Sequence, residues 1–266
     1  MQAHKSDRDW TQPIDEDPHT LYELLQKAVG RYQDLNLFGY IPSPGMPRVH
    51  VTYNEMFGSV QAAARSMQEC GVKEGDRVAM ILNNSVEWAT IAYAANALGA
   101  SYTSMYTHQH GSEWAYIIED SAPSILFIAD DEILVGLSEH LGNDVEAWPS
   151  GGVVVHGDDK PTADIPDAVN ISTWVEFLSS GRKTQETDPF KPASLDHERL
   201  ATLIYTSGTT GKPKGVMLSN WNILHNITSM QGRFEIQAGD RTASFLPWAH
   251  SFGQMEIGRA SCRERV

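Results

Sequence analysis

Cysteine is nearly absent from this chain. Two occur in 266 residues, Cys70 and Cys262, too few for the disulfide framework of a small secreted domain. Positive charge is scarce too: 20 Lys and Arg stand against 34 Asp and Glu, a net charge of −14. That balance argues against the clustered basic footprint of a nucleic-acid-binding domain; the acidic excess reads as a solvated surface. No apolar run approaches the ~20 residues that a membrane-spanning helix needs. The opening Met1-Gln2-Ala3-His4-Lys5-Ser6-Asp7-Arg8-Asp9 has no signal-peptide core. A reducing, cytoplasmic location is therefore expected, with peripheral membrane association still compatible. Metal-ligand spacing is missing as well. Asp158, Asp159 and Asp164 read as a solvated loop, and His108 and His110 lack the partners of a zinc site. There is no internal repeat.

What is present is enough apolar material for a core, 41% of residues, arranged as alternating strand and helix signals. Thr20 is placed to cap a helix running to about Gln33, with Leu21, Leu24, Leu25, Ala28, Val29 and Tyr32 on one face. Thr52-x-x-Glu55 reads as a capping box opening a helix closed by Gly71. Val78-Ala79-Met80-Ile81-Leu82 is apolar throughout, as a strand buried on both faces requires. Ser85 can cap the next helix, ending at Gly99. Asn83-Asn84-Ser85 follows a strand, but a turn and helix cap explain it. Further strands are expected near Tyr102–Tyr106, Ile125–Ile128 and Val153–Val155, with helices at Glu113–Glu119 and Glu132–His140. The alternation predicts an α/β fold, a mostly parallel sheet with helices on both faces. Residues 157–162 and 181–192 read as polar connectors, the second as a subdomain boundary. Ser219 is placed to cap a helix to about Gln231, with Trp221 and His225 expected to pack.

The chemistry concentrates in Tyr205-Thr206-Ser207-Gly208-Thr209-Thr210-Gly211-Lys212-Pro213-Lys214-Gly215, directly after the apolar Leu203-Ile204. Glycines allow backbone N–H groups to converge on one anion, hydroxyls add donors, and lysine supplies a mobile charge. This is the composition of a phosphate cradle placed after a strand. It is not the Walker loop, because Gly208 and Gly211 are too close and Pro213, not Ser or Thr, follows Lys212.

The segment resembles the signature loop of the AMP-forming acyl-CoA synthetase, adenylation-domain and luciferase superfamily. Phe245-Leu246-Pro247-Trp248-Ala249-His250-Ser251-Phe252-Gly253 is similar to that family's next motif, in the form found in long-chain fatty acyl-CoA synthetases. The resemblance implies an incomplete large adenylation domain over residues 1–256. It implies phosphate contacts from Thr206, Ser207, Gly208, Thr209, Thr210, Gly211 and Lys214, with Thr206 also near a magnesium ion. Lys214 and His250 would be the catalytic groups, His250 lying where carboxylate and nucleotide meet. ATP, magnesium and coenzyme A are the implied cofactors and co-substrates, a fatty acid the implied substrate, and acyl-CoA the implied product. An aryl-CoA ligase, a peptide-synthetase adenylation domain and a non-catalytic nucleotide-binding protein remain alternatives.

The final Ile257-Gly258-Arg259-Ala260-Ser261-Cys262-Arg263-Glu264-Arg265-Val266 brings three arginines into an acidic chain without apolar periodicity. It resembles a translated sequencing adapter and is set aside from the fold. On that reading the coding sequence breaks off mid-domain. The magnesium carboxylate, the ribose aspartate, most of the acyl pocket and a C-terminal domain would then lie beyond it, and the 266 residues alone would be inactive.

Overall fold

The computed structural model describes residues 18–156, 163, 165–206, 212–231, 241–251 and 253–254. In chain order, α1 (Leu21–Tyr32) leads into the hairpin β1 (Asn36–Tyr40) and β2 (Val49–Thr52). Then follow α2 (Tyr53–Glu69), β3 (Arg77–Ile81), α3 (Val86–Ala97), β4 (Ser101–Met105), α4 (Gly111–Ser121), β5 (Ile125–Ile128) and α5 (Asp131–Leu141). The rest is β6 (Val153–Val155), β7 (Ile171–Thr173), α6 (Trp174–Thr187), β8 (Leu200–Thr206), β9 (Lys214–Ser219) and α7 (Asn220–Gln231).

Seven strands form one sheet in the order β7-β6-β5-β3-β4-β8-β9, and only the last pair is antiparallel. Side chains of a strand alternate between faces, and here both faces are covered, so both sets must be apolar. Val78 and Met80 of β3 join one core, with Ile125 and Phe127 of β5. Ala79, Ile81, Leu126 and Ile128 join the other. The first core takes residues from α1, α2, α3, α6 and α7; the second takes them from α4 and α5. The α/β fold with helices on both faces is as the sequence implies.

The local caps are in place. Thr20 and Ser85 each accept a hydrogen bond from the backbone N–H three residues on, and Thr52 and Glu55 form a reciprocal capping box. Ser219 and Asn222 cap α7 in the same reciprocal manner. The methionines at 56, 67 and 80 are fully buried. Cys70 is a half-buried free thiol whose pKa burial pushes up.

The structure corrects the reading of residues 181–192. Residues up to Thr187 are helical, and a second capping box, Thr173 with Glu176, opens α6. Gly181 lies against α2 so closely that a Cβ would collide with the Ala62 carbonyl oxygen. Strands on both sides of this stretch share the one sheet. Trp221 is also not a core residue: it is 53% exposed and lies between the rings of His197 and His225, 5.8 and 5.6 Å away. Residues 157–162, 164 and 255–266, with the acidic connector residues and the arginine-rich tail, lie outside the described residues. Among the described residues no helix is long and apolar enough to cross a membrane.

Candidate functional site

β8 is the parallel neighbour of β4, so Thr206 stands at the carboxyl edge of the sheet, where open α/β folds bind ligands. The chain then returns as an antiparallel strand. Thr206 is paired with Lys214, Tyr205 with Gly215 and Ile204 with Val216. The Gly/Ser/Thr-rich segment is thus the tip of a β-hairpin, and the strand-then-helix arrangement of phosphate loops is not what is built. Sequence reasoning missed β9; the run Val216-Met217-Leu218 was the available signal. Ser207, Gly208, Thr209, Thr210 and Gly211 lie outside the described residues. Thr206 and Lys214 are both exposed at the stem.

Two contacts fix the stem against α4. The Tyr205 hydroxyl donates to Asp120 Oδ2 at 2.5 Å. Burial, with the Asp120 carboxylate adding to it, pushes the Tyr205 phenol above its ordinary range, so it stays a donor. The Tyr116 hydroxyl donates to the Pro213 carbonyl at 3.2 Å. Lys212 Nζ lies 4.9 Å from the Tyr116 ring centroid, a cation–π distance. The two lysines therefore differ: Lys212 is turned onto α4, while Lys214 sits in register with Thr206.

The second motif docks on the end of β3. The Asn84 side chain accepts from the Trp248 N–H at 2.8 Å and donates to the Leu246 carbonyl at 2.7 Å. Trp248 is buried, its ring edge-on to Trp88 at 5.6 Å and tilted on Phe38 at 6.0 Å. Its indole N–H donates to Ser244 Oγ at 2.6 Å. Gly253 closes the turn, since a Cβ there would meet the Pro247 oxygen at 2.5 Å. His250 is exposed, its backbone N–H donating to the Pro247 carbonyl at 3.0 Å. Asn84 is the residue sequence reasoning passed over; a polar side chain after a buried strand was its only local signal.

Stem and second motif meet in one cleft of about 310 Å³. Ile204, Val216, Leu218 and Ile223 give it apolar walls, and Thr206, Asn226 and Ser251 give it polar groups. Among the described residues no group of three or more His, Cys, Asp or Glu is placed to hold a metal.

A sequence model of the AMP-binding enzyme family matches residues 25–261. A human protein named long-chain-fatty-acid–CoA ligase is 28% identical over 254 residues, covering 90% of this chain and 32% of the relative. Long chain acyl-CoA synthetase 5 of Arabidopsis thaliana is 30% identical over 242 residues, 87% of this chain and 35% of the relative. The chain thus spans about a third of the length of these two relatives. Among solved structures, a putative long-chain-fatty-acid CoA ligase from Rhodopseudomonas palustris superposes with a TM-score of 0.73 at 21% identity, over 93% of this chain and 56% of that one. An anthranilate CoA ligase in complex with anthranoyl-AMP gives 0.76 at 18% identity, over 94% and 45%. These two structures speak to the fold alone.

Proposed function

Because the chain belongs to the AMP-binding enzyme family, we propose that the protein carrying these residues activates a carboxylic acid, preferentially a long-chain fatty acid, with ATP and passes the acyl group to coenzyme A. The observation that carries this reading is the pairing of Thr206 with Lys214 at the mouth of the hairpin, beside an apolar cleft that Ser251 of the second motif also lines. A polar rim over apolar walls suits an amphipathic acid, each buried CH₂ contributing about 0.8 kcal/mol.

In the first step a carboxylate oxygen bonds to the α-phosphorus of ATP while the bond to the β-phosphate bridging oxygen breaks. The products are acyl-adenylate and pyrophosphate. In the second step the thiol sulfur adds to the acyl carbonyl carbon and AMP leaves, its proton lost to solvent. No protein nucleophile is needed. Negative charge accumulates on the departing pyrophosphate, and Lys214, with the N–H and hydroxyl donors of residues 206–211, is there to offset it. His250 orients the carboxylate at the meeting of cleft and nucleotide.

Magnesium fits this site as a partner of the nucleotide phosphates and not of a protein cage. The exposed Thr206 hydroxyl offers it a hard oxygen ligand. When bound, the ion neutralises phosphate charge.

The test is exchange of labelled pyrophosphate into ATP by the whole protein. Exchange should require a carboxylic acid, with long-chain fatty acids above aryl acids and amino acids. Cleavage of ATP to ADP and phosphate at the same rate without any acid would refute the reading.

A further inference from the structure

Away from the hairpin stem, the structure holds a second cleft, of about 490 Å³, between the β1–β2 hairpin and residues 241–248. Arg48, His50 and Arg241 line it, and no Asp or Glu is among its described lining residues. In a chain with 34 acidic residues that is an unusual composition. Arg48 and Arg241 make no hydrogen bond or ion pair among the described residues. By contrast Arg65 and Arg199 are held by the carboxylates of Asp188 and Glu74, and Arg77 by the carbonyls of Ser121 and Ala122. The geometry of the hairpin brings two of the three groups together. A Cβ at Gly39 would stand 3.1 Å from His50 Nδ1 and 3.4 Å from Arg48 Cδ, so the bare backbone lets both side chains lie across one face. The amide of Asn84 at the cleft is committed on both atoms to the second motif. That leaves the two guanidinium groups, the imidazole and Thr242 to meet a ligand.

We propose that this cleft binds a phosphate group, carried by a small phosphate ester or by a lipid headgroup. Guanidinium forks match phosphate oxygens two at a time. An acid-free cleft in a net-negative protein focuses anions where the rest of the surface repels them. The proposal does not depend on the adenylation reading.

The experiment titrates the 266-residue chain with inorganic phosphate, followed by ³¹P line broadening, and in parallel with phosphatidylcholine vesicles with and without phosphatidic acid. Arg48→Gln and Arg241→Gln should each weaken phosphate binding about tenfold, the size of one charge-assisted contact. Both arginines are exposed, so both variants should keep the wild-type fold. Lys183→Gln, at an exposed position on α6, should change nothing. Saturable phosphate binding without vesicle binding assigns a free ester. Vesicle binding that needs phosphatidic acid and is competed by phosphate assigns a headgroup. The proposal is overturned if neither probe binds, if Lys183→Gln weakens binding as much as the arginine variants, or if Lys214→Ala abolishes binding while the arginine variants leave it intact.

Discussion

Replacing Asn84 by Ala should loosen the second motif before it unfolds the domain. The substitution removes the acceptor of the Trp248 N–H and the donor to the Leu246 carbonyl. An orphaned buried backbone group costs about 1–3 kcal/mol. Asn84 is half-buried, so water can reach part of the gap and each loss falls at the low end, ~2 kcal/mol together. For a chain of this size that is a fall in Tm of about 4–8 °C. Trp248 keeps its ring contacts with Trp88 and Phe38, so the local effect should be fraying of residues 241–254 while the sheet persists. Ser85→Ala is the control: it removes the α3 cap, whose oxygen accepts from the Trp88 N–H at 3.1 Å, at about 1 kcal/mol. Urea unfolding gives the global loss, and limited proteolysis reads cleavage within 241–254. Asn84→Ala should be cut there faster than Ser85→Ala even after correction for stability. Equal midpoints and equal cleavage rates for Asn84→Ala and wild type would refute the claim that this amide holds the motif.

Other variants read other parts of the account. Gly181→Ala should destabilise by about 2–3 kcal/mol through overpacking against α2, whereas Gly58→Ala, with nothing within 4 Å of its Cβ position, should stabilise by about 0.5–1 kcal/mol; urea midpoints decide both. In the whole protein Lys214→Ala should slow adenylation on the order of a hundredfold. Lys212→Ala should remove the ring contact with Tyr116, about 0.5–1 kcal/mol of stability, and spare most of the adenylation rate. Equal catalytic damage from the two would show that the register of the hairpin is wrong. Acid should destabilise the fold through three glutamates. Burial opposes the charge of Glu23, but the His19 amide and Lys27 outweigh it; burial opposes that of Glu87, but His156 outweighs it; at Glu55 the Thr52 amide and hydroxyl dominate. All three carboxyls are held below their ordinary range, so their contribution is present above the unfolded carboxylate pKa and is lost as pH falls through the folded values. Thermal melts should thus drop below about pH 4.5, and the Glu23→Gln, Glu55→Gln, Glu87→Gln triple variant should drop less.

Features fixed within a few residues were legible. Thr20, Thr52 and Ser85 announce their helices because a cap needs only a side-chain oxygen and an N–H three residues on. β3 and β5 are legible because both faces are buried, which leaves an unbroken apolar run. α6 was not, since Phe177 and Gly181 are its only buried residues and the apolar stripe is too thin. Its capping box, Thr173-x-x-Glu176, was nevertheless the same signal that identified α2. β9 is an edge strand with Val216 and Met217 exposed, and its pairing depends on β8 across the loop, which no local pattern encodes. The cradle's composition was legible; that a returning strand sets Lys214 opposite Thr206 was not. Asn84 acts on residues more than 160 positions away, and a single amide carries no signal of that reach.

The central claim is that the substrate carboxylate attacks the α-phosphorus. It is tested most directly by supplying the whole protein with ATP, coenzyme A and a fatty acid labelled with ¹⁸O in its carboxylate, then weighing the products. The account predicts one labelled oxygen in AMP, because the attacking oxygen stays on phosphorus when the thiol displaces the acyl group, and none in pyrophosphate. Unlabelled AMP, or label appearing in inorganic phosphate, would contradict it.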